Sequence, residues 1–217
     1  MAKNSIPTRF GAILSRGQVV GGVALIVLLG AIALDTTAVR IGSDEDIREQ
    51  AFDPDIFGQE QFPRIREFVA ERAPEAADLA QALADDRSAA IEAYGTMAGV
   101  FPVMAVRFIG VVGEGRSGIF NVDVDGLSGV TIRVQTGPAI NGTELRDVVG
   151  DIEFGAFTNQ IEYQDAGSGI NRAMSSDVLD GLEREALSGT TISVTGAFTL
   201  INPANWLVTP VALEVQQ

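Results

Sequence analysis

The residues able to do chemistry in this chain are carboxylates, amides and hydroxyls, because histidine and cysteine are both absent. That excludes Ser-His-Asp and Cys-His catalysis, disulfides, thiol redox chemistry, haem ligation and ordinary zinc sites. The only lysine, Lys3, lies too far upstream to form a Schiff base in an exported domain. The polar cluster Thr158-Asn159-Gln160, with Glu162 and Tyr163, follows Phe154 and Phe157. Amides and a carboxylate beside aromatic rings are what a carbohydrate or peptide groove uses, so these polar positions form the candidate ligand-binding set. The competing reading is a set of amides satisfying the backbone at an irregular strand junction.

Other patterns carry less. Glu153, Glu162 and Asp165 would allow a two-carboxylate glycan hydrolase, which needs an acid and a base or nucleophile across the bond. Acids are 29 of 217 residues, so local pairs are expected on a solvated acidic surface. Catalytic residues are therefore assigned to none of them, and the chain reads as a non-enzyme. Gly113-Glu114-Gly115-Arg116-Ser117-Gly118 matches GxGxxG, but a strand follows where a dinucleotide site needs a helix N-terminus. It reads as a glycine-rich β-turn. Asn121-x-Asp123-x-Asp125-Gly126 resembles the opening of a calcium loop, yet Ile132 stands where an EF-hand needs a bidentate Glu. It reads as a strand ending in an Asp-Gly turn, with a weak calcium site at Asp123 and Asp125 as the alternative. No cofactor or metal is expected.

The elements that must hold these residues begin with a membrane signal. Lys3, Arg9 and Arg16 precede an uncharged apolar run, Val19 to Leu34, and all 29 acids lie at or after Asp35. A basic flank, an apolar stretch and an acidic domain fit insertion with the N-terminus inside, and residues 19–39 would be the membrane contact. The expected location is the bacterial cytoplasmic membrane, single pass, with the C-terminal domain in the periplasm. Ala31-Ile32-Ala33 also reads as a cleavage site, which would leave a soluble periplasmic protein cut near Ala33. The net charge of −14 argues against nucleic-acid binding.

Beyond the membrane segment the chain reads as α+β. Residues 1–40 form the basic flank and signal anchor, 41–100 a small helical subdomain, and 101–217 an OB-like antiparallel β-barrel with an inserted helix. Ser43 can cap a short helix over Asp44–Gln50. Phe62, Ile65, Phe68 and Val69 recur at helical spacing, with Pro63 near the first turn. A second helix follows Pro74, and Asp86 caps a third that ends at Gly95; short turns between them suggest an antiparallel cluster. From Val103 the period becomes two: Met104, Val106 and Phe108 face one way, Ala105, Arg107 and Ile109 the other. Phe120–Val124 and Val130–Val134 read as a hairpin. Gly142 to Val149 reads as one or two helical turns, in which Arg146 and Asp147 would form a buried structural pair. Gln160–Tyr163 reads as a short strand, and Ile170 to Leu187 as a helix interrupted at Gly181. Thr191–Leu200 and Trp206–Val215 are the closing strands. Five or six strands with an inserted helix suggest the OB arrangement.

In order along the chain, several pieces resemble one bacterial family. They are Gly137-Pro138, Asn141-Gly142-Thr143, Leu145-Arg146-Asp147, Phe157 through Tyr163, Gly196 through Leu200, Asn202-Pro203 and Val208-Thr209-Pro210-Val211. The set is similar to the predicted periplasmic lipoproteins known as domain of unknown function 2291, over roughly residues 38–217. The resemblance implies a helical subdomain followed by an OB-like one at the outer face of the cytoplasmic membrane. It further implies an accessory role beside sugar ABC transporter components, through protein binding. It supplies no catalytic residues. A carbohydrate-binding module is the alternative function. Many members of the family carry a lipobox cysteine that this chain lacks, which removes lipidation and leaves a protein anchor or plain secretion.

Overall fold

The computed structural model describes residues 16–35 and 52–216. The chain divides into two units, Met1–Ala51 and Phe52–Gln217. In the first, helix α1 spans Arg16–Asp35, and Val20 and Leu25 through Leu29 are exposed along it. Among the described residues no helix is long and apolar enough to cross a membrane. The helix expected over Asp44–Gln50 lies outside the described residues.

The second unit opens with α2, Pro54–Arg72. Asp53 caps it, its carboxylate accepting from the amides of Asp55 and Ile56 at 2.9 and 3.1 Å. Pro54 takes the first turn, where its missing N–H costs nothing. The helix thus starts well before Phe62, and Pro63 lies inside it rather than in its first turn. Pro54 and Gly58 read in sequence as helix breakers, yet both lie within α2. Gly58 is instead the point where α2 meets a second helix, described below. Phe62, Ile65 and Val69 form the buried stripe, as their spacing requires.

Helices α3 (Ala76–Asp85) and α4 (Arg87–Tyr94) follow. Asp86 caps α4 through the amides of Ser88 and Ala89, and Gly95 ends it, both as the sequence indicates. These helices pack on each other and on the strands, while α2 packs on a later helix.

The strands are β1 (Gly95–Met97), β2 (Pro102–Arg116), β3 (Ile119–Asp123), β4 (Thr131–Gln135), β5 (Thr191–Thr199) and β6 (Asn205–Gln216). Their order is β1-β2-β3-β4-β6-β5, and β5 also pairs with β2, so five strands return on themselves. All pairings are antiparallel except β4 with β6. The expected hairpin is present, with Phe120 opposite Val134 and Val122 opposite Ile132. The GxGxxG stretch is the end of β2 and a turn through Ser117 and Gly118, both at positive φ.

Strand β2 explains the two apolar faces of its sequence. Met104, Val106 and Phe108 enter a core with Leu79, Leu83, Phe198 and Trp206. Val103 and Ala105 enter a second core with Phe62, Ile65, Val69, Ile170 and Met174. Trp206 is fully buried, stacked on Phe198 at 4.7 Å, and its indole N–H reaches the Pro203 carbonyl at 2.9 Å.

Between β4 and β5 the chain makes α5 (Glu144–Asp147) and α6 (Gln160–Met174), which runs on as a π-helical turn over Ser175–Leu179. Gln160–Tyr163 is therefore the first turn of α6 and not a strand. Asn159-x-x-Glu162 is the reason. The Asn159 side chain accepts from the amides of Ile161 and Glu162 at 2.9 and 3.0 Å, and the Glu162 carboxylate accepts from the Thr158 amide at 3.0 Å. This is the reciprocal satisfaction of a capping box, one residue displaced on the return bond. The helix expected over Ile170–Leu187 correspondingly starts earlier and loses its regular winding from Ser175.

Candidate functional site

The polar set singled out in the sequence is brought together at the start of α6, and two of its side chains, Asn159 and Glu162, are engaged by the local backbone. Asn159 and Glu162 hold the cap, and Tyr163 packs its ring against Phe154 and Phe157 at 5.7 and 5.4 Å. Thr158 and Gln160 are exposed beside the cap. Asn159→Ala is accordingly expected to cost about 1 kcal/mol of stability, the usual worth of a cap, measurable as a lower urea midpoint. An unchanged midpoint would mean that the cap bonds are not formed in solution. Glu153 and Asp165 are exposed. Asp123 ends β3 and Asp125 follows in the turn; among the described residues no group of three acids comes together as a metal-ligand set.

A polar network that the sequence reading did not pick out lies beneath the loop before α5. Gln135, at the end of β4, is buried and donates to the Thr209 hydroxyl at 2.7 Å and to the Asn141 carbonyl at 3.1 Å. Its own carbonyl oxygen accepts from the Asn141 amide at 3.2 Å. The Glu144 carboxyl faces the hydroxyls of Thr199 and Thr209 at 3.4 and 3.5 Å. Gly142 sits over it at φ +111°, where an added Cβ would meet a Glu144 oxygen at 2.2 Å. The angle favours glycine, and any Cβ there would have to displace the Glu144 carboxyl.

Burial is the main reason that the Glu144 pKa is raised above its ordinary 4.5, with the Asp147 charge adding to it; its backbone and the two threonine hydroxyls oppose the shift. A raised folded-state pKa means stability fully present below the unfolded value and lost as pH rises through the folded one. Wild type should therefore lose stability relative to Glu144→Gln as pH climbs from about 4.5 through the folded pKa. Parallel stability profiles for the two proteins, from denaturant titrations across pH, would contradict this.

Next to it lies the pair foreseen in the sequence. The Arg146 Nε donates to Asp147 at 2.7 Å, with side chains 7% and 13% exposed. Arg146 also donates to the Tyr163 carbonyl at 2.9 Å and stacks over the Tyr163 ring at 3.7 Å. The Thr143 hydroxyl donates to the other Asp147 oxygen at 2.5 Å. The network thus ties α5 to α6.

Two surfaces around this scaffold are open. One is a cavity of about 620 Å³ between the Gly137–Pro138 loop, which has a cis peptide bond, and the last turns of α6. Its wall includes Asn171, Arg172, Ser175, Ser176, Asp180 and Arg184. The π-helical turn presents Ser175 and Ser176 to it, a winding that often marks ligand sites. The other is an apolar end of the sheet. Met97, Val100, Phe101 and Ile201 are 61%, 86%, 44% and 63% exposed. Met97 pairs with Pro102, and the Leu200 amide donates to the Pro102 carbonyl at 2.8 Å, so these side chains share one end of the molecule.

A family model for predicted periplasmic lipoproteins, domain of unknown function 2291, matches residues 23–214. The chain belongs to this family. A periplasmic location goes with membership. The sequence contains no cysteine. Some of the pieces that carry the resemblance in the sequence meet here: Thr199 and Thr209 face Glu144, and the Tyr163 carbonyl accepts from Arg146. The fold is similar to the crystal structure of an OB-fold protein from Thermotoga maritima, with a TM-score of 0.62 and 19% identity. That likeness covers 77% of this chain and 100% of the other, and at this identity it concerns the fold alone. None of the curated proteins matches the chain.

Proposed function

We propose that this periplasmic family member is an accessory protein anchored through residues 19–39, and that it works by binding a partner protein rather than by catalysis. The five returning strands form an OB-like barrel that carries the binding end. The exposed apolar set Met97, Val100, Phe101 and Ile201 is the observation that carries the reading, because a contiguous apolar end exposed to water marks an interaction site. The basic flank of Lys3, Arg9 and Arg16 before the uncharged run Val19 to Leu34 is the sequence feature behind the anchor. Of the carboxylates that the sequence offers to a hydrolase, Glu162 is taken up by the Thr158 amide, while Glu153 and Asp165 stand exposed to solvent. The partner proposed is a component of a sugar ABC transport system, which rests on the family resemblance.

Phe101→Asp and Ile201→Asp test the reading. Both positions are open to water, so the melting temperature should hold while partner retention from solubilised membranes falls about tenfold or more. Retention at the wild-type level by both folded variants would sink it. A second reading, a small-ligand module, is favoured by the cavity lined by the π-helical turn.

A further inference from the structure

We infer that the cavity between the Gly137–Pro138 loop and the π-helical turn binds a small polyhydroxylated anion. This rests on the small-ligand reading and gives it a ligand class. The chain carries 29 acids against 15 cations, yet this cavity is lined by two arginines and one carboxylate, Arg172, Arg184 and Asp180. With Asp55 counted beside Arg172 the charges balance here, against the acidic excess of the rest of the chain, and two guanidiniums on one wall favour an anion.

Arg184 is held for that task. Its Nε donates to the Thr136 carbonyl at 2.5 Å and one Nη to the Leu179 carbonyl at 3.3 Å. A guanidinium has five N–H groups, so three remain after these two bonds fix its plane. Arg172 is bonded to Asp55 at 2.6 Å, but the two side chains are 53% and 61% exposed. An exposed pair of this kind contributes little, so the guanidinium can turn to a ligand at small cost.

The rest of the wall suits hydroxyl groups. Asn171 is 6% exposed and its amide nitrogen is committed to the Gly142 carbonyl at 2.9 Å, which leaves its oxygen as a fixed acceptor. Asp180 is a second acceptor on the same wall. The Ser175 and Ser176 hydroxyls hold no hydrogen bond to another described residue, and each can donate or accept. Pro138 and Ile140 supply apolar surface for a carbon skeleton. Guanidinium donors together with amide and carboxylate acceptors on the same wall match an anionic head on a hydroxylated chain. Carboxylate and phosphate heads share that chemistry.

The test is isothermal calorimetry on the full chain in mild detergent, with gluconate, glucose 6-phosphate, glucose and glycerol as probes. Binding of gluconate or the phosphate, with glucose at least tenfold weaker, is the expected result; which head binds more tightly tells the two sources apart. Arg172→Gln should weaken the anion about tenfold, the scale of one charge-assisted hydrogen bond. Ser176→Leu, at an exposed position on the cavity wall, should abolish binding without changing the melting temperature. Glucose binding as tightly as the anions, with Arg172→Gln silent, would overturn the anion class and leave the ligand reading standing. No heat from any probe at millimolar concentration would overturn both. Anion binding that survives Ser176→Leu would overturn the location.

Discussion

Gly169→Ala should lower the melting temperature of the folded unit by roughly 6–12 °C, taking about 3 kcal/mol for forced overpacking and about 2–4 °C per kcal/mol at this size. Helices α2 and α6 touch backbone to backbone. A Cβ at Gly169 would lie 1.8 Å from the Pro54 carbonyl oxygen, and one at Gly58 would lie 2.2 Å from the Gly169 carbonyl oxygen. Neither obstacle is a flexible side-chain end that could rotate away. The helices would have to separate, and with them the core of Phe62, Ile65, Val69, Ile170 and Met174. Gly155→Ala is the matched control, since a Cβ there meets nothing within 4 Å. It should stay within about 0.5 kcal/mol of wild type. Scanning calorimetry that finds the two variants alike would show that the helices are not in contact as described.

Arg146→Met should cost about 3–5 kcal/mol, because it leaves the Asp147 carboxylate in place with its buried cation gone. The same substitution also removes the bond to the Tyr163 carbonyl and the stacking on its ring. Converting Asp147→Leu in the same chain should recover much of the loss, since an apolar pair of similar volume removes the stranded charge. Urea midpoints of the single and double variants, read at constant m-value, measure this. A double variant as unstable as the sum of its singles would mean that the two side chains do not act as a pair.

That pair was legible before the structure because an arginine and an aspartate side by side in a short helical stretch of an apolar region need each other. The alternation of β2, the hairpin of β3 and β4, and the two closing strands were legible from period-two patterning. The cap at Asp86 and the stop at Gly95 were legible from local backbone chemistry. The start of α6 was not, because Gln160-Ile161-Glu162-Tyr163 alternates like a strand. The signal that outweighs it is Asn159-x-x-Glu162: Asn159 accepts from the helix's first amides and Glu162 from the Thr158 amide before the cap. The start of α2 was missed for a related reason. Asp53-Pro54 is a cap followed by a first-turn proline, but Gly58 four residues on looks like a break until its close neighbour Gly169 is known.

The candidate sites were less legible than the fold. Glu144 becomes a distinct group only when β5 and β6 bring Thr199 and Thr209 to it across more than fifty residues of sequence. The cavity wall joins residues 138–140 to 168–184. The one local trace of it was Ser175-Ser176 directly after a helix, where two hydroxyls break the apolar spacing. The apolar end is likewise a product of pairing, since Met97 and Ile201 meet only through Pro102.

Binding of a partner at that end is the central claim, and site-specific photo-crosslinking tests it most directly. A photoreactive residue at Val100, in the full chain in intact membranes, should give one discrete adduct that mass spectrometry identifies as a subunit of a solute-transport system. The same probe at Glu214 is the control. That residue is exposed near the other end of β5, where it pairs with Ser193. It should give no such adduct. Identical products from both positions, or none from Val100, would contradict the account.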